Sequence, residues 1–186
     1  MTEEHTNIQK SVIEACKKGD TLAQYALYQQ YSKAMFNLAY RMVNNREDAE
    51  DMLQEAFTDA FRKLDSFRFE STFGAWLKII VINKCINHLK KNRIEIITGD
   101  MPEKSNWNDE EDSYEVKYDI NQVFKAIEIL PDGYRIVLTL YLLEGYDHTE
   151  ISQILNITES TSKTQYLRAR SKLKQLLSQE ELKWTN

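Results

Sequence analysis

The sequence predicts an all-α protein: two helical domains joined by a flexible acidic linker, the C-terminal domain a helix-turn-helix. Three observations carry this reading. Glycine and proline are scarce, five and two in 186 residues, which leaves little material for turn-rich β architecture, while good helix formers abound. Apolar residues make up 42% of the chain, enough to fill real cores. Charge is unevenly spread: residues 94–119 hold nine acidic and two basic groups, against 12 and 14 in 1–93 and eight of each in 120–186. The net charge of −5 therefore sits almost wholly in 94–119, which also contains Gly99 and Pro102 and lacks helical periodicity. That segment reads as the linker between a domain at 1–93 and a domain at 120–186. On composition it is a solubilising spacer. Mimicry of nucleic acid in a basic channel is the other reading.

Several function classes are excluded at this level. No apolar run approaches the roughly 20 residues of a membrane span, and the start, "MTEEHTNIQK", has no basic-then-apolar signal pattern, so a cytoplasmic protein is expected. Cys16 and Cys85 sit far apart in helical patterns and read as buried structural thiols. His5, His88 and His148 have no partners at zinc spacing, so neither a metal nor a cofactor is expected. Phosphate-loop, nucleophile-elbow and dinucleotide motifs are missing, and nothing suggests an enzyme.

The elements follow in order. In 46–64, Ala49, Met52, Leu53, Ala56, Phe57, Ala60, Phe61 and Leu64 keep the helical period and predict a long amphipathic helix. Its outer face carries Glu47, Glu50, Asp51, Gln54, Glu55 and Thr58, a solvated surface on pattern alone, with partner docking the minority reading. In 71–93, Ile82, Ile86 and Leu89 suit a core. A second stripe of Trp76, Ile79, Asn83, Asn87 and Lys90 mixes aromatic, amide and basic groups and ends in Lys90, Lys91 and Arg93. Such groups stack on unpaired bases, bond base edges and hold phosphates. The same pattern equally fits a core tryptophan followed by lysines that complement the helix dipole.

After the linker, 120–130 repeats apolar groups at 123, 124, 127 and 130 before Pro131 stops the helix. Residues 133–144 form a strongly apolar helix that Gly145 can end in left-handed geometry. Asp147, with Glu150 three residues on, is an Asp capping box opening a short helix with Ile151, Ile154 and Leu155 inward. Asn156 suits the positive φ of the next turn, Ile157 reads as its buried residue, and Thr158 as the cap of the last helix. Residues 160–177 then carry five basic groups and no carboxylate. Positions 162, 166, 169, 173, 176 and 177 share one face, with Ser160, Lys163, Thr164 and Leu167 elsewhere. A capped helix, a tight turn and a basic second helix are the helix-turn-helix plan, whose second helix meets base edges in the major groove. A carboxylate there would face phosphates.

With these residues together, the chain resembles an extracytoplasmic-function (ECF) sigma factor. "ACKKGD" is similar to the family's early helix end, and "DAEDMLQEAF" to its D-A-E-D-L-x-Q-E-x-F signature. "LDSFRFESTFGAWLKIIVINKCINHL" follows its F-R-x-x-S-x-F-x-x-W-L run, and "LPDGYRIVLTLYLLEGYDHTEISQILNITESTSKTQYLRARSKL" its C-terminal pattern. The resemblance implies a transcription initiation factor with no chemistry of its own, binding core RNA polymerase (the β′ clamp helices and the β subunit) and promoter DNA, without membrane insertion. An anti-sigma factor holds many relatives.

By position, it implies that Asp51, Gln54 and Glu55 dock on the clamp helices. Asn83 matches a residue lining a pocket for a flipped −10 base, with Trp76 and Asn87 in the same promoter-melting region. Lys84, Lys90 and Lys91 are added as cations near enough to reach phosphate. Lys163, Thr164 and Leu167 match readers of the −35 element, alongside Ser160 and Thr161, with Arg168 and Arg170 on the backbone. The chain departs from the pattern at Ile79 (usually Arg), Ser162 (usually Val) and Gln165 (usually Arg). Ser162 is expected to weaken a buried contact and Gln165 to bond adenine. The rival reading is a polymerase-independent helix-turn-helix regulator, which leaves the Asp51 face and the Trp76–Asn83 stripe without a purpose.

Overall fold

A computed structural model describes residues 3–91 and 119–184. Contacts divide the chain into two units, Met1–Ile94 and Glu95–Asn186. The stretch expected to be the linker lies outside the described residues except for Asp119, and so does Arg93.

The first unit is four helices: α1 Glu3–Lys17, α2 Thr21–Val43, α3 Arg46–Arg62 and α4 Phe73–Lys91. The helices α3 and α4 are the two expected from periodicity; α2 was not expected. The Asp20 carboxylate starts α2 by accepting from the Leu22 and Ala23 N–H groups at 2.9 and 3.1 Å. It stops at Asn44 in left-handed geometry (φ 54), and the Asn45 side chain caps α3 at once by accepting from the Asp48 N–H, 3.1 Å. Two asparagines thus close an αα-hairpin.

The core is apolar throughout. Leu27, Leu38, Met42, Ala56, Leu77 and Val81 are at most 1% exposed. Cys16 and Cys85 are buried in it as free thiols; burial raises the thiol pKa of both, that of Cys85 to about 12, which keeps it protonated. Gly74 makes room for the Tyr31 ring of α2, because a Cβ there would sit 2.9 Å from Tyr31 Cε1. Between α3 and α4, Phe69 holds a positive φ of 61°, costly for an aromatic residue. Its ring packs on Phe67, centroids 4.9 Å apart, and under the Lys17 ammonium at 4.9 Å, which also donates to the Phe67 carbonyl at 3.2 Å.

The second unit holds α5 Ile120–Ile129, α6 Asp132–Leu138, α7 His148–Leu155 and α8 Glu159–Trp184. Asp119, expected in the linker, instead caps α5 in a capping box with Gln122. The helix expected over 133–144 is α6 followed by a π-helical turn, Thr139–Leu143, in which the Glu144 N–H reaches back to the Thr139 carbonyl at 3.1 Å. Arg135 is 2% exposed and donates to the Leu130 carbonyl at 3.0 Å while pairing with Asp132. It thereby satisfies the carbonyl at the end of α5.

The Asp147–Glu150 capping box is present in both directions, at 2.8 and 2.9 Å. Gly145 (φ 79) and Asn156 (φ 56) take the left-handed conformations expected of them. The Thr158 hydroxyl caps α8 by accepting from the Thr161 N–H, 3.0 Å. Ile157 is half-buried rather than buried. Ile127, Leu130, Leu138 and Ala169 form the core against which Val123, Tyr134, Leu173 and Leu176 pack.

Candidate nucleic-acid interface

On α4 the period of 3.6 residues turns Leu77, Val81, Cys85 and Leu89 inward and leaves Ile79, Asn83, Asn87, Lys90 and Lys91 exposed along the other side. Trp76 sits at the head of this stripe, half-buried, its ring 5.3 Å from Phe67 and 5.7 Å from Phe73. The indole is anchored on one side by the aromatic cluster and open on the other, and the two amides and two lysines are accessible.

Lys84 differs. Its ammonium lies 2.9 Å from Asp59 and 3.1 Å from Glu55 of α3. The hydrogen bond to Asp59 is the chief cause of the raised Lys84 pKa and the lowered Asp59 pKa. Lys84, expected as a cation near enough to reach phosphate, is paired with two carboxylates of α3 in this structure. A second bridge joins the same helices, His88 Nε2 to Asp48 at 3.3 Å.

The outer face of α3 is exposed at Glu47, Asp51, Gln54, Glu55 and Thr58. Glu50 is engaged by Arg46 at 2.9 Å, and Glu55 by Lys84. Asp51 and Gln54 lie one turn apart on this acidic surface, suited to a cationic partner.

In the second unit, α7 and α8 are joined by the three residues 156–158, and α8 presents Ser160, Lys163, Thr164, Leu167 and Arg170 to the outside. Leu167 is 42% exposed, an apolar group with no place in the core. Arg168 is half-buried. Thr161 takes part in the cap, its hydroxyl 2.8 Å from that of Thr158, and the Thr164 hydroxyl donates to the Ser160 carbonyl at 2.9 Å. Lys163 is paired with Glu159 at 2.5 Å, and Glu159 also accepts from the Thr149 hydroxyl at 3.3 Å. The lysine pulls the Glu159 pKa down.

Two residues read as departures behave differently from expectation. Gln165 is 4% exposed and faces the unit's interior, so it is not placed to bond adenine. Ser162 is fully buried, and its hydroxyl lies 2.9 Å from His148 Nδ1. The contact expected to be weakened is instead a polar joint between α7 and α8. His148 stacks on Tyr141 (4.5 Å, 13°) with Tyr166 against both. Burial first, then the Lys163 ammonium, lowers the His148 pKa. Sequence reading missed this joint, though a histidine at the first position of α7 facing a serine where an apolar residue is usual was its visible signal.

No described helix is long and apolar enough to cross a membrane. Comparison with known proteins matches residues 27–94 to sigma-70 region 2 and residues 120–173 to sigma-70 region 4. The chain is similar to the ECF RNA polymerase sigma factor SigW of Bacillus subtilis, 32% identical over 90% of this chain and 96% of that one. It is also 32% identical to the ECF RNA polymerase sigma-E factor of Escherichia coli, over 86% of this chain and 88% of that one. Among solved structures, RpoE of Bartonella quintana, complexed with the anti-sigma factor NepR, aligns with a TM-score of 0.56 at 22% identity, covering 83% of this chain and 96% of that one. CnrH, in complex with the cytosolic domain of CnrY, aligns at 0.55 and 22%, covering 91% and 97%.

Proposed function

Given that the chain belongs to the ECF RNA polymerase sigma factors, non-enzymatic initiation factors that direct the polymerase to promoters, we propose how its two units divide that work. Residues 1–93 act as region 2 and the helices from α5 onward, with the Asp119 cap, as region 4, the stretch between them being the connection. The acidic face of α3, with Asp51 and Gln54 at its centre, docks on the β′ clamp helices. The α4 stripe receives the opened −10 strand: Asn83 bonds a flipped base, Trp76 and Asn87 flank it, and Lys90 and Lys91 hold phosphate. Stacking and pocket contacts worth about 1–3 kcal/mol per base favour the opened state.

In the second unit the start of α8 enters the major groove at the −35 element. Lys163 and Thr164 reach polar base edges there, and Leu167 presses on a thymine methyl. Arg170, with Arg168, follows the backbone, and Ser160 and Thr161 fix the helix start against it. With a net charge of −5 the free protein is repelled by DNA, so tight promoter binding requires the polymerase. The reading places the protein in the cytoplasm, and an anti-sigma factor is a further partner class, as in the RpoE–NepR complex above.

The observation that carries this reading is the pairing of an exposed acidic face on α3 with an exposed aromatic–amide–lysine stripe on α4, within one helical block. A polymerase-independent regulator needs neither. Asp51→Arg and Gln54→Ala are expected to abolish copurification with core polymerase while leaving the helical content unchanged. Undiminished copurification of both variants would overturn the docking assignment.

A further inference from the structure

The bridge between α3 and α4 joins the two surfaces just assigned. Four charges meet there: Lys84 with Glu55 and Asp59, and Arg62 with Asp59 at 3.5 Å. These four groups sum to zero, with the Lys63 ammonium close enough to act on Asp59 as well. Its members are unequally held, for the Glu55 side chain is 56% exposed against 21% for Asp59 and 25% for Lys84. Glu55 is the member that an incoming partner meets first, and it lies on the same helix face as Asp51 and Gln54. Lys84 follows Asn83 directly and precedes Asn87 by one turn, which sets it next to the stripe assigned to the opened strand along α4.

We propose that Glu55 shields Lys84 in the free protein, and that docking of a cationic partner surface on α3 draws Glu55 away and turns Lys84 into a phosphate contact for the opened strand. An ammonium has three N–H donors; Glu55 and Asp59 occupy two in the free protein. Removing Glu55 returns one donor and makes the remaining sum singly positive, because Asp59 alone then faces Lys84 and Arg62. Asp59 keeps Lys84 beside Asn87 meanwhile. Polymerase engagement thus raises the affinity of the neighbouring surface for DNA through one side chain. This inference deepens the division of labour proposed above and rests on it.

The test is the salt dependence of promoter binding by the reconstituted holoenzyme, on a promoter fragment mapped by run-off transcription. Losing one single-strand phosphate contact lowers the slope of log affinity against log salt by about 0.7, or about 2.6-fold in affinity between roughly 50 and 200 mM salt. Lys84→Gln is expected to show that reduction in holoenzyme, and Lys84→Arg to retain the wild-type slope. In the full-length protein without polymerase, on a single-stranded oligonucleotide, Lys84→Gln is expected to change nothing. Glu55→Gln is expected to increase the slope by the same amount, and Lys84→Gln to cancel that increase.

An unchanged slope for Lys84→Gln holoenzyme, or a Glu55→Gln gain that survives Lys84→Gln, overturns the inference. Asn83→Ala in the same holoenzyme separates the levels. If it weakens binding while Lys84→Gln does not, only the shielding fails; if neither acts, the assignment of α4 to the opened strand fails as well.

Discussion

Among the described residues the first unit buries a polar group only in part, at the Arg41 Nε, whereas the second buries four polar residues whole: Arg135, Thr139, Ser162 and Gln165. The first unit is an apolar block with its working groups laid on the outside. Neither the α3 face nor the α4 stripe is needed to hold the helices together, apart from the Lys84 and His88 bridges. The second unit is knitted by polar joints: the Arg135 guanidinium under α5, the His148–Ser162 contact between α7 and α8, and the capping box on α7. A small helical unit has little apolar area to bury, and hydrogen-bonded joints fix the angle between its two last helices where packing alone leaves it loose. On the proposed reading, substitutions on the exposed α3 and α4 faces of the first unit are expected to act on binding, and interior polar substitutions in the second on binding through geometry.

The largest effect that bears on this contrast is loss of apolar packing. Leu77→Ala empties a fully buried site in α4 and is expected to destabilise the first unit by about 2–5 kcal/mol. Hydrogen exchange of α4 amides reads it, with α8 amides unaffected; equal loss of protection in both would break the picture of two separately stabilised units. Next, Ser162→Ala leaves His148 Nδ1 without its buried partner and is expected to cost the second unit about 1–3 kcal/mol, seen as faster exchange along α7 and α8. A neutral outcome would show that the joint contributes nothing.

The smallest effect is a pH dependence. The folded His148 pKa lies below its unfolded value, so the unfolded state binds more protons as pH falls through the unfolded pKa of about 6.5. Stability of the second unit is therefore full above that pH and declines below it, until the folded imidazole also protonates. Acid-induced loosening of α8 that disappears in His148→Gln is the expected result. Asp59 follows the same sign at lower pH: its lowered pKa makes the Lys84 bridge persist until the pH falls below the ordinary carboxylate value.

Much of the fold was legible in the sequence where a helix shows one apolar stripe or a recognisable cap. The helices α3, α4, α7 and α8 meet that condition, through Ala49–Leu64, Ile82–Leu89, Asp147–Glu150 and Thr158. The helix α2 does not, because Leu22 and Tyr25 are 79% and 59% exposed and blur its polar side. Asp119 was assigned to the linker because it ends an acidic run, although Asp119–Gln122 has capping-box spacing. The π turn after α6 depends on how Thr139–Leu143 seats in the core, which no local propensity encodes.

The candidate site was legible as residue types on faces, but not as partnerships. Periodicity places Lys84 near the stripe, yet only tertiary packing sets two carboxylates of α3 against it. Likewise Gln165 is one position away in sequence from Thr164, which is proposed to reach a base edge, and the rotation of α8 turns it inward.

The central claim is that the first unit selects the opened −10 segment and the second the −35 duplex. Run-off transcription with core polymerase on fragmented genomic DNA, with start sites mapped for the wild-type protein, Asn83→Ala and Leu167→Ala, tests it most directly. The expected result is a set of new starts preceded by two sequence blocks, with Asn83→Ala changing only the block nearer the start and Leu167→Ala only the farther one. Absence of new transcripts, or a change in both blocks from either substitution, would contradict it.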